Sequence, residues 1–147
     1  MTGRGGAERG PVLLVDDRPD TLAALESILG EAGCVCRRAT TAQIALSLAH
    51  TQSPKVVVAR LELAPTSGLD LLGELRRLSP PTRVILTADA LGIATAITCM
   101  NEGADAVVLD PVNNPDKLRA AVDDAFAFLD RWQRLFVELQ TFRGISL

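Results

Sequence analysis

With 147 residues, 48% of them apolar, the chain can bury one good core, and its length favours a single domain. A formal net charge of -3 and a pI near 5.1, with basic residues scattered rather than striped, argue against direct nucleic-acid binding. No run of eighteen apolar residues occurs, and Met1 to Gly10 holds no apolar stretch that could act as a signal segment, so a cytoplasmic protein without a membrane partner is expected, with a disordered start over 1–10.

In chain order, Val12 to Val15 reads as a buried strand, and Asp20 is placed to cap a helix carrying Leu22, Leu25, Ile28, Leu29 and Ala32 at helical spacing, which Gly33 stops. Val35 to Ala39 is a second strand, Thr40 or Thr41 caps a helix to about His50, and Pro54 precedes Lys55 to Leu61, a strand apolar on both faces. Leu69 to Leu78 is a third helix broken by Pro80 and Pro81, and Arg83 to Thr87 returns to the sheet. Leu91 to Glu102 is a fourth helix ended by Gly103, Ala106 to Leu109 is a fifth strand, and Pro115 suits the first turn of a long last helix. Five alternations of strand and helix, with strands apolar on both faces, imply a doubly wound parallel sheet with helices on either side. The crevice at the carboxyl ends of such strands is where function is sought, and Asp16, Asp17, Arg60, Thr87 and Asp110 lie at those ends.

The three cysteines, Cys34, Cys36 and Cys99, lack Cys-x-x-Cys spacing and have one histidine, His50, to help them, which argues against structural zinc. Cys34 and Cys36, two apart on a strand, share a face and read as small buried thiols. His50, near a helix end, reads as a surface residue.

The set Leu13-Leu14-Val15-Asp16-Asp17-Arg18-Pro19-Asp20, Gly68-Leu69-Asp70-Leu71-Leu72, Val84-Ile85-Leu86-Thr87-Ala88, Glu102-Gly103-Ala104-Asp105 and Pro111 resembles the receiver domains of two-component response regulators, from about Pro11 to Leu129. The resemblance implies a chemotaxis-Y-like, flavodoxin-like (βα)5 fold with a five-stranded parallel sheet, over 11–129, with 130–147 an extension of the last helix and a tail. It also implies an acid pair, Asp16 and Asp17, that would hold magnesium, a phosphoryl-accepting aspartate at the end of the third strand, a hydroxyl at Thr87, and a lysine before Pro111. Counting back eight residues from Gly68, the acceptor position falls on Arg60, the residue before Pro111 is Asp110, and the usual aromatic of the fifth strand is Val107.

A guanidinium remains protonated and has no lone pair with which to attack phosphorus, so Arg60 is not an acceptor of the usual kind. Placed beside Asp16 and Asp17 it brings charge and donors into the space of the ion, and magnesium binding is expected to be lost or weak. The usual apo site and the set Asp16, Asp17, Asp110 and Arg60 carry the same formal charge. The expected arrangement is therefore a fork of hydrogen bonds from Arg60 to the acid pair and Asp110, a locked and vestigial site with no enzymatic role. The plainer alternative is an Arg60 that reaches solvent. Glu62 and Asp110 are the non-standard residues at which a phosphoryl group could otherwise be taken up.

All five aromatic residues, Phe126, Phe128, Trp132, Phe136 and Phe142, fall in the last helix. Leu118, Val122, Ala125, Leu129, Trp132, Phe136 and Leu139 alternate by four and three, the spacing of a heptad seam, and Asp130 to Phe142 would run past the body by roughly 20 Å. The fourth helix is nearly uncharged, with Asp89 the charge beside it. By resemblance, a homodimer is expected through the fourth helix, fifth strand and fifth helix, with Ile93, Ile97, Met100, Val107, Leu129, Trp132, Leu135, Phe136 and Leu139 at the interface. The function implied is an atypical receiver acting through protein contacts without phosphorylation. The alternatives are a receiver phosphorylated at a non-standard residue and the regulatory amino-terminal part of a larger kinase or transcription factor. A nucleotide-binding flavodoxin-like protein fits poorly, because no Gly-rich loop follows the first strand.

Overall fold

The computed structural model describes the backbone of residues 9–143 and the side chains of residues 9–140. The elements alternate as expected: β1 (Arg9–Val15), α1 (Pro19–Glu31), β2 (Cys34–Ala39), α2 (Ala42–Gln52), β3 (Val56–Arg60), α3 (Gly68–Leu78), β4 (Arg83–Ala88), α4 (Ile93–Asn101), β5 (Ala106–Leu109) and α5 (Pro115–Arg143). β1 begins at Arg9, so Arg9 and Gly10 belong to the sheet and not to a disordered start; the rest of that expectation concerns residues outside those described. No described helix is long and apolar enough to cross a membrane.

All strands are parallel, in the order β2-β1-β3-β4-β5. This is the flavodoxin-like (βα)5 sheet. Because residues alternate faces along a strand, Val12, Leu14, Val56, Val58 and Ile85 pack with Leu22, Leu25 and Leu29 of α1 and Leu118, Val122, Ala125 and Phe126 of α5. Leu13, Val15, Val57, Ala59 and Leu86 pack on the opposite face with Ala42 and Ala45 of α2, Leu71, Leu72 and Leu75 of α3, and Cys99 of α4. Both faces are covered, which is why the central strands lack polar alternation. The winding reverses between β1 and β3, so the crevice opens where these strands end, at Asp16 and Arg60.

Local chemistry sets the helix starts. Pro19 takes the first turn of α1, with Arg18 at the cap position and no side-chain capping bond; the expected cap, Asp20, lies inside the first turn instead. Of the two candidate threonines, Thr41 caps α2, accepting from Ile44 N–H at 3.1 Å. Ser67 and Asp70 form a reciprocal capping box at α3. Gly68 explains the eight-residue spacing from Arg60: a Cβ there would lie 2.3 Å from the Arg60 carbonyl oxygen, so only glycine lets α3 start against the end of β3. α4 starts at Ile93, two residues later than expected, after a loop over 89–92.

Candidate functional site at the carboxyl edge of the sheet

β1 delivers Asp16 into the crevice, 1% exposed, and because successive residues leave a strand on opposite sides, Asp17 is exposed. The buried carboxylate is met by Arg18, two residues on. The Arg18 backbone N–H donates to Asp16 Oδ1 at 2.9 Å, its Nε to the same oxygen at 3.1 Å and its Nη2 to Oδ2 at 3.2 Å. This is a two-pronged guanidinium–carboxylate pair. The hydrogen bond to Asp16, ahead of the desolvation that opposes it, raises the Arg18 pKa above its ordinary value. Arg18 Nη1 then reaches Asp89, in the loop after β4, at 3.3 Å.

Arg60 does not make the fork expected of it. Its side chain is only 12% exposed, so it does not swing into solvent either. Nε donates to the Glu62 carbonyl at 2.9 Å, Nη2 to Glu62 Oε1 at 3.4 Å and Nη1 to Asp89 Oδ2 at 3.4 Å. The physical reason is reach and competition: Arg18 already fills both oxygens of Asp16 from a neighbouring residue, and Arg60 turns to the carboxylates of the adjoining loops. The cation beside the acid pair is therefore Arg18, and Asp89 bridges the two arginines.

Asp110 does not join this network either. It stands at φ 46, in the left-handed region that aspartate tolerates better than most residues, and it organises the turn into α5. Its carboxylate accepts from Asn113 Nδ2 at 3.1 Å to each oxygen, and its carbonyl accepts from the N–H of Asn113 and Asn114. Pro111 beside it is buried. Thr87 is buried at 3% exposure, in register with Arg60, and its carbonyl accepts from Leu61 N–H at 2.8 Å. Among the described residues, no three acidic, histidine or cysteine side chains gather as a metal site would require.

Arg18 and Asp89 are the site residues that sequence reasoning missed. The signals were present: an arginine two residues after a strand-end aspartate is close enough to fold back on it, and Asp89 is the charge next to an uncharged helix.

The expected interface residues fall into separate surroundings. On α4, Ile93, Ile97 and Met100 are exposed, as are Leu109 at the end of β5 and Val112 beyond it. Val107 is instead partly buried against the core. On α5 the seam is buried at Leu118, Val122 and Ala125, and emerges as Trp132, Leu135, Phe136 and Leu139, all exposed. With Leu129, these line a groove of about 510 Å³ facing Ser53 to Lys55, Ser79, Pro81 and Thr82. The Phe142 side chain lies outside the described residues. Phe128 is packed by Arg83, 4.6 Å from its ring centre, and by Trp132. Cys34 is buried and His50 is exposed, as expected, while Cys36 shares the face of Cys34 and packs on the same cluster but is only partly buried.

Comparison with known proteins agrees with this architecture. The family model described as the response regulator receiver domain matches residues 12–123. The alginate biosynthesis transcriptional regulatory protein AlgB of Pseudomonas aeruginosa is 31% identical over 114 residues, which is 78% of this chain and 25% of that protein. The transcriptional regulatory protein KdpE of Mycobacterium tuberculosis is 34% identical over 76% of this chain and 50% of its own length. The chain thus spans a quarter to a half of these relatives. Among solved structures, the signal receiver domain of a putative Luxo repressor protein from Vibrio parahaemolyticus superposes with a TM-score of 0.80 at 21% identity, covering 86% of this chain and 97% of that one. NtrX from Brucella abortus in complex with ADP gives 0.79 at 25% identity, over 86% of this chain and 29% of that one.

Proposed function

The chain belongs to the response regulator receiver domain family, and from that premise we propose that it is an atypical member, a cytoplasmic signalling module that works through protein contacts without phosphorylation and without enzymatic activity. The observation that carries this reading is the two-pronged pair between Arg18 and Asp16, with Arg60 at the end of β3. A phosphoryl transfer at this edge needs a nucleophilic oxygen and a divalent ion held by oxygen ligands. At the position where the nucleophile is expected stands a guanidinium, and both oxygens of the buried acid are already occupied by another. The residues do not fit magnesium, and Asp110, bound up in the turn to α5, supplies neither the cation nor a substitute acceptor. Treatment of the intact protein with acetyl phosphate and magnesium should yield no acyl phosphate by intact-mass measurement; a stoichiometric mass increase, at Glu62, Asp110 or elsewhere, would overturn the reading in favour of a non-standard acceptor.

The protein partner is proposed to be a second copy, through α4, β5 and α5. Support comes from the uncharged, exposed face of α4 and from the apolar stripe of α5, larger in sum than isolated surface residues. A second reading, favoured by the greater length of the regulators AlgB and KdpE, makes this the receiver of a larger regulator with α5 leading to its output. A reading frame that continues past Leu147 would support it.

A further inference from the structure

We infer that Asp89, clasped by Arg18 and Arg60, is an ion-pair latch that holds the 89–92 loop, and with it the start of α4, against the carboxyl edge of the sheet. The helix is otherwise weakly attached at this end. Cys99, near its C-terminus, is its one buried residue, Ile93 is 81% exposed, and the cap residue Gly92 makes no side-chain capping bond. α4 also carries no charged side chain that could pair with the body. The Asp89 carboxylate, by contrast, receives Arg18 Nη1 on both oxygens, at 3.5 and 3.3 Å, and Arg60 Nη1 on Oδ2 at 3.4 Å.

The two arginines come from different elements. Arg18 precedes α1 and is itself fixed by buried Asp16, while Arg60 ends β3 with its stem enclosed and its Nε held by the Glu62 carbonyl. Each guanidinium is thus pre-positioned by one partner and offers its remaining donor to Asp89, so the loop is held from two fixed points without any added group. Asp89 is 60% exposed, and its pairs are therefore open to screening by salt. The latch makes the exposed α4 face, including Ile93 and Ile97, dependent on ionic contacts at the site. This consequence goes beyond the absence of phosphorylation and does not rest on it.

The test is amide hydrogen exchange in the full chain, read at Ala96, whose N–H bonds the Gly92 carbonyl in the first turn of α4, and at Ala45, the matching position in α2. Asp89→Asn should speed exchange at Ala96 about fivefold, the factor expected of two partly exposed ion pairs, and leave Ala45 unchanged. Raising sodium chloride to about 1 M, where the Debye length is about 3 Å, should speed Ala96 in the wild type and not in Asp89→Asn. Unchanged exchange at Ala96 in the variant, equal acceleration at Ala45, or the same salt response in both proteins would each overturn the latch. No phosphodonor enters the measurement, so its failure is distinct from a positive acetyl phosphate result.

Discussion

Removing the Arg18 guanidinium leaves the Asp16 carboxylate, 1% exposed, without the two charge-assisted bonds that offset its burial. Hydrogen bonds to charged groups contribute about 1.5–3 kcal/mol, and the 40% exposure of Arg18 argues for the lower end of that range. Arg18→Ala should therefore lower the stability measured by urea unfolding by about 1–2 kcal/mol. Arg60→Ala should cost less in its ion pairs, about 0–1 kcal/mol, because Glu62 and Asp89 are exposed carboxylates, with a further loss from the enclosed stem. The test keeps both stems: a larger loss for Arg60→Met than for Arg18→Met would return the central role to Arg60. The same geometry predicts that Arg60→Asp alone remains unlabelled by acetyl phosphate, since Arg18 still occupies Asp16. Labelling of Arg60→Asp with Arg18 intact would show that this pair opens readily for a metal ion.

At the scale of elements, α3 is positioned by its first residue. Gly68→Ala pushes a methyl group onto the β3 carbonyl at Arg60 and should destabilise by about 1–3 kcal/mol in thermal or urea unfolding, as overpacking does. A neutral result would mean that α3 slides without cost, and the spacing to Arg60 would lose its explanation. On β2, burial and then the neighbouring Cys34 thiol push the Cys36 thiol up to about 12. Its folded pKa exceeds its unfolded value, so the folded state keeps a proton that the unfolded chain gives up. The contribution is fully present below the ordinary thiol range and is lost as pH rises from about 9 toward 12. Cys36→Val should flatten that decline in melting temperature, and an unaltered decline would assign it to other groups.

At the scale of the whole molecule, the apolar stripe of α5 and the face of α4 both lie outside the core that the sheet organises. Light scattering at micromolar concentration is expected to give a dimer, and Trp132→Glu, which places a charge in the centre of the stripe, should shift it toward monomer with the sheet intact by circular dichroism. A wild-type monomer would defeat the self-association reading. Retention of the dimer in Trp132→Glu but not in Ile97→Glu would restrict the contact to α4.

The parallel sheet, its order of elements and the strand ends that meet in the crevice were determined by the sequence itself, because strand runs such as Val56 to Ala59 and helical spacing such as Leu22, Leu25 and Leu29 are local patterns repeated in the burial. The exchange of acid for base at the end of β3 was equally readable, since Arg60 is counted from Gly68 along the chain. That both guanidinium groups converge on Asp89 was decided only by the tertiary structure. Arg18, Arg60 and Asp89 are separated in sequence, their side chains are long enough to choose among several acids, and the choice depends on the loops after β3 and β4. Charge type is written in the chain, but the pairing of flexible charges is a competition settled by distance and burial.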